Sequence, residues 1–169
     1  MKYRSLECSH ATTVTQKKEL PDWHSRCSDK RQMQSITRHL DGKRFETTVG
    51  THRIITDQAV TQGGGNAGPT PPELLLASLG ACAGHYAVEY LRARSLSLIG
   101  LEIRVTAAKG ADPARLASFQ VEVTLPGIDE RHQQGLLRAV KSCLIHNTLK
   151  TTPTIELAVS VEQELGLHV

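Results

Sequence analysis

Aromatic residues make up only 4% of this chain, and its net charge of +3, from 20 basic and 17 acidic residues, is mild. No block of Lys and Arg reaches the density of a nucleic-acid arm, so neither stacking platforms nor a phosphate-neutralising stripe is present, and no nucleic-acid partner is expected. The first thirty residues hold no apolar run of the kind that opens a secretory signal, and no stretch reads as the roughly 20 apolar residues of a membrane span. The expectation is a cytoplasmic protein with no membrane partner. Cysteine is scarce too, with four residues at Cys8, Cys27, Cys82 and Cys143. In a reducing compartment such thiols read as free, catalytic or metal-bound before they read as structural disulfides. The chain has no internal repeat, and its 169 residues with 39% apolar content suffice for one domain and one core.

Residues 1–34 are polar and aperiodic around a single Pro21-Asp22-Trp23 island, which predicts an arm that orders only against a partner. The folded domain is expected over 35–169. Residues 35–40 and 44–49 flank Asp41-Gly42, a dipeptide suited to the positive φ of a tight hairpin turn, and residues 52–56 extend the pattern. Residues 62–69 are too rich in glycine for regular structure. Thr70-Pro71-Pro72-Glu73 then supplies an N-cap, proline in the first turn and the capping-box glutamate. Leu75, Leu79, Cys82 and Tyr86 share one face of the helix that follows, which is predicted to run to about Ser95. Gly80 and Gly84 each cost about 1 kcal/mol of helix propensity relative to Ala, so the helix looks shaped for close approach to another helix.

Strict alternation predicts strands over 101–106 and 119–125, with the turn at Lys109-Gly110-Ala111-Asp112-Pro113. Asp129 can cap a second helix whose apolar face is Leu136, Leu137, Val140, Cys143 and Leu144, with Cys143 near its C-terminal end. Ile155, Leu157, Val159 and Val161 alternate as a final strand over 154–162. The order β-β-α-β-β-α-β, without strict βαβ units, predicts an α+β domain with two long central helices on one face of a mainly antiparallel sheet.

Cys82 and Cys143 carry the chemistry that the chain offers most directly. Should the helices pack side by side, one thiolate could attack an O–O bond and the other capture the resulting sulfenic acid as a disulfide. Two small hydrophobes buried at helix core positions would leave the same pattern. Cys82 lies about three turns into its helix, beyond the reach of the macrodipole, so activation needs another cation, with Arg38, Lys43, Arg44 and Arg53 as candidates. Cys8, His10, His24 and Cys27 have the donor types of a zinc site, but their spacing is looser than that of structural sites, and no metal is expected. The glycine-rich segment lacks the Gly-Lys-Ser/Thr ending of a phosphate loop. Asp129, Ser142 and His146 could be grouped as a hydrolase triad, but no nucleophile elbow supports them.

Gly64-Gly65-Asn66-Ala67-Gly68-Pro69-Thr70-Pro71-Pro72-Glu73-Leu74-Leu75-Leu76-Ala77-Ser78-Leu79-Gly80-Ala81-Cys82 resembles the first cysteine motif of the OsmC/Ohr family, and Ser142-Cys143-Leu144-Ile145-His146-Asn147-Thr148-Leu149 resembles its second. The resemblance covers about residues 36–162. It implies an intertwined homodimer with active sites at the subunit interface, and a thiol-dependent peroxidase that reduces organic hydroperoxides in oxidative stress defence. By the same resemblance Cys82 is the peroxidatic thiol, Cys143 the resolving one and Arg44 the arginine beside the thiolate, while Glu73, Leu79 and Tyr86 fall to the substrate pocket. No bound cofactor is implied, only an external thiol or dithiol of the lipoyl type. The chain departs from the family pattern at Pro72, where typical peroxidases place a glutamate, and at Ala83 and Leu144 after the two cysteines. Those departures leave a second expectation, a non-catalytic OsmC-like dimer that binds a small ligand or senses redox state.

Overall fold

The computed structural model describes residues 33–161. The N-terminal arm, and with it Cys8, His10, His24 and Cys27, lies outside the described residues apart from its last two positions. The described elements are β1 (Ile36–Asp41), β2 (Arg44–Val49), β3 (His52–Thr56), a 3-10 turn (Val60–Gln62), α1 (Pro71–Arg92), β4 (Glu102–Gly110), β5 (Arg115–Thr124), α2 (Glu130–Lys141) and α3 (Leu144–Lys150).

β1, β2 and β3 form an antiparallel meander, and β4 and β5 a separate antiparallel hairpin. The α+β class expected from the element order is what the chain adopts, with its strands divided between these two sheets. The first turn falls one residue later than the dipeptide suggests. Asp41 pairs with Arg44 across a Gly42-Lys43 loop in which Gly42 takes φ +48°, the arrangement with glycine at the first central position.

The α1 start follows the sequence closely. Glu73 accepts hydrogen bonds from the Thr70 backbone N–H at 2.7 Å and the Thr70 hydroxyl at 2.8 Å, and Pro71 opens the helix. Ala83, Ala87 and Leu91 then bury a seam against Leu136 and Val140 of α2. Leu91 is completely buried, worth roughly 1.5–3 kcal/mol by transfer from water. On β4 and β5, Ile103 faces Val123, Val105 faces Val121 and Ala107 faces Phe119, so alternation sends one apolar row toward α1.

Four expectations change here. The glycines of α1 allow close approach to a strand, not to a helix: a Cβ on Gly80 would lie 3.3 Å from Val105 Cγ2, and one on Gly84 3.4 Å from Ile103 Cγ1. The glycine at the helix pair is Gly135 of α2, where a Cβ would fall 2.1 Å from the Tyr90 hydroxyl. The second helix is broken, because α2 ends at Lys141 and Cys143 takes φ −57° and ψ 132°, outside the helical region. The carbonyls freed by that break are taken up locally, the Ser142 hydroxyl donating to Arg138 O at 3.1 Å and His146 Nδ1–H to Lys141 O at 3.0 Å.

The predicted last strand is absent among the described residues. Residues 152–161 carry no regular structure, and Ile155, Leu157, Val159 and Val161 are 77–93% exposed, with no ladder partner among the described residues. α1 is also apolar enough, over its 22 residues, to cross a membrane by length and composition, which the sequence reading missed. Five leucines and four alanines keep its mean hydropathy high; its buried face packs on α2 and β4.

Candidate active site

The two family-motif cysteines meet. Cys82, three turns into α1, is half-buried, and Cys143, the N-cap of α3, is completely buried. The two side chains are neighbours, near enough for the Cys82 thiol to act on that of Cys143. Burial is the main cause that pushes the Cys143 thiol above its ordinary pKa, and the neighbouring Cys82 thiol adds to it. The backbone N–H groups of His146 and Ile145, in the first turn of α3, oppose that rise. Cys143 is thereby held as a neutral thiol behind the more accessible Cys82. The break between α2 and α3 creates this arrangement, since an uninterrupted helix would carry the Cys143 side chain past its amides instead of onto them.

Arg44 is not brought to the thiols. It lies on β2, where its guanidinium pairs with Asp41, and this hydrogen bond, aided by the Asp41 and Asp57 charges, raises its pKa further. Its Nε is buried without a hydrogen-bond partner among the described residues. Glu73 remains in its capping box, its carboxyl held below the usual range chiefly by the Thr70 N–H and then by the Thr70 hydroxyl. Leu79, 2% exposed, lines a cavity of about 420 Å³ between α1, β5, α2 and α3. Tyr86 is half-buried one turn beyond Cys82, edge-on to His85, and does not line that cavity. Among the described residues no three His, Cys, Asp or Glu side chains converge on a point where a metal would sit.

One residue escaped the sequence reading, and another entered it in a different role. His146, which the sequence offered only in an unsupported triad and in the second cysteine motif, braces α3 against the end of α2, and its backbone N–H faces the Cys143 sulfur. Asp57 is the one that escaped. This carboxylate, 3% exposed, accepts from the N–H groups of Gln58 at 2.7 Å, Gly65 at 2.9 Å and Ala67 at 3.1 Å. The glycine-rich segment is therefore a cage closed around an acid of the protein itself. A Cβ at Gly64 would lie 2.1 Å from Gln58 O, and one at Gly68 2.3 Å from Ile55 O, both backbone atoms that cannot step aside. Lys43 donates to Gln62 O, so the first hairpin and this loop brace each other just ahead of α1.

The Ala67 N–H contributes most, followed by that of Gln58, to holding Asp57 below its ordinary pKa of 3.8. A carboxyl whose pKa is lower folded than unfolded stabilises the fold above the unfolded value and loses that contribution as pH falls through the folded one. Asp57→Asn is expected to melt several degrees below the parent at pH 7, with the gap narrowing as pH drops below about 4. Thermal melts of both proteins from pH 7 to pH 3 check this, and a constant gap would refute the cage.

Solved structures share the architecture. An osmotic stress induced and detoxification response protein from Psychrobacter arcticus matches at 22% identity and a TM-score of 0.62, over 68% of this chain and 85% of its own. An OsmC-like protein from Mycoplasma pneumoniae matches at 18% and 0.62, over 73% and 91%. An organic hydroperoxide resistance protein OsmC from Legionella pneumophila matches at 17% and 0.52, over 72% and 91%. At these identities the likeness establishes the fold and leaves activity to the site. No curated protein matches the chain. The OsmC-like protein family matches residues 63–158, which span the glycine cage, both cysteines and every element from α1 to α3, and the chain belongs to that family.

Proposed function

We propose that the protein is a thiol-dependent peroxidase that reduces organic hydroperoxides through Cys82 and Cys143. The observation that carries this reading is the meeting of the two thiols, one accessible and one buried, from separate helices. Cys82 thiolate attacks the terminal peroxide oxygen; the S–O bond forms, the O–O bond breaks, and the alkoxide leaves to take a proton as the alcohol. Sulfur is oxidised by two electrons to the sulfenic acid. Cys143 then displaces water from it, giving the Cys82–Cys143 disulfide, and an external dithiol of the lipoyl type restores both thiols while becoming a disulfide itself.

The working unit of this proposal is a homodimer in the cytoplasm. Within one chain Arg44 is tied to Asp41 and stands in a meander that takes no part in the main packing of α1 with α2, α3 and β4. A partner's meander laid over the helices would bring that chain's Arg44 toward Cys82, where a cation favours the thiolate. The same Arg44–Asp41 pair also supports the second reading, a non-catalytic dimer that binds a small ligand or senses redox state, if the arginine never leaves Asp41. Consumption of cumene hydroperoxide with dihydrolipoamide separates the two. Turnover by the wild-type chain is the expected result, and its absence toward every alkyl hydroperoxide offered would leave the second reading.

A further inference from the structure

The cavity beside the cysteines carries a separate inference. Its volume of about 420 Å³ falls in the range of small-molecule sites. Leu79, Phe119, Val121, Leu137, Val140 and Leu149 form its apolar wall, and neither Cys82 nor Cys143 lines it. Leu137 and Leu149 remain 45% and 38% exposed on that wall, so apolar surface is left facing water there. The charged or titratable members of the lining are all basic: Lys141 at the end of α2, His146, and Lys150 at the end of α3, with no carboxylate among them. With His146 Nδ1–H donating to Lys141 O, its Nε2 is an acceptor, so the two lysines are the donors the cavity offers an anion.

An apolar wall beside cations of one sign selects one ligand chemistry. We propose that this cavity binds a free amphiphilic carboxylate, its hydrocarbon tail against Leu79, Phe119, Val121 and Leu137 and its head group at Lys141 and Lys150. Tail burial supplies affinity at roughly 25 cal/mol per Å² of apolar surface, and the two lysines discriminate a carboxylate from a neutral head group. The site is distinct from the thiol pair and does not depend on peroxidase activity. It adjoins that pair through Leu79 on α1 and Val140 on α2, each three residues before a cysteine.

The test is calorimetric titration of the full chain with dodecanoate and dodecanol below their aggregation limits, and with phosphatidylglycerol vesicles. Dodecanoate is expected to saturate at one per chain and dodecanol to bind at least about ten-fold more weakly. In the Lys141→Glu/Lys150→Glu double variant, whose two positions are exposed and tolerant of change, dodecanoate should weaken by about ten-fold or more while dodecanol stays unchanged. Cys82→Ser should bind as the parent does, so a chain without peroxidase activity still decides the matter. Equal affinity for the two dodecyl compounds, an unaffected double variant, absence of saturation, or binding to vesicles alone would each overturn the proposal.

Discussion

Replacing Cys82 with serine is expected to reduce hydroperoxide consumption by about 10³-fold or more, while replacing Cys143 leaves the first reduction intact and stops the cycle there. The asymmetry follows from where the two sulfurs sit. Cys82 is half-buried and reachable, whereas Cys143 is completely buried with its pKa raised by that burial. Only the first can meet an oxidant directly, and the second meets the sulfenic acid once it has formed. Cys143→Ser should therefore release about one alcohol per chain and leave a sulfenic acid on Cys82 that dimedone traps, located by peptide mapping to separate it from Cys8 and Cys27. In the resting protein iodoacetamide should label Cys82 at least about ten-fold faster than Cys143. Sustained dithiol-dependent turnover by both serine variants would end the peroxidase reading.

The sequence disclosed those features whose physics is local. Thr70, Pro71 and Glu73 announce a helix start because every partner in the capping box lies within four residues. The alternation through 101–106 and 119–125 gives two strands with one apolar row because the pleat repeats every two residues. The meeting of Cys82 and Cys143 came from the two motifs together, since periodicity alone places each on a helix face without saying that the faces touch. Where the signal is a property of the partner, the sequence is mute. Gly80 and Gly84 advertise close approach but not whether a helix or a strand approaches, and it is β4 that does. The break at Cys143 is invisible because Leu136, Leu137, Val140, Cys143 and Leu144 keep helical spacing straight through it, with neither proline nor glycine to mark the stop. Asp57 left no trace because its donors are backbone N–H groups, which every residue type supplies alike.

If the proposed homodimer forms, placing glutamate at both Leu157 and Val159 is expected to convert it into monomers and to take the proposed peroxide turnover with it. These side chains are 92% and 93% exposed, and with Ile155 and Val161 they alternate as a strand would, without a strand to pair with among the described residues. All six residues of β1 are exposed as well, and β1 is an edge whose outer hydrogen-bonding groups have no partner strand among the described residues. An unpaired apolar segment and an unpaired sheet edge on the same small chain are each other's complement when a second copy supplies the missing half. Burying a Leu and a Val contributes roughly 1.5–3 kcal/mol apiece, so losing both weakens the dimer by at least about 3 kcal/mol, or roughly 100-fold, before any cost of burying two carboxylates is counted. The fold of each chain should be untouched, because both side chains stand almost fully exposed among the described residues; the circular dichroism spectrum should match the parent's. Sedimentation velocity at micromolar concentration reads the outcome, with the parent at twice the chain mass and the variant at one. Turnover should fall with assembly, because in the proposed dimer it is the partner's Arg44 that supplies the cation beside Cys82. A parent that sediments as a monomer yet turns over hydroperoxide would break that link and place the activating cation within the single chain.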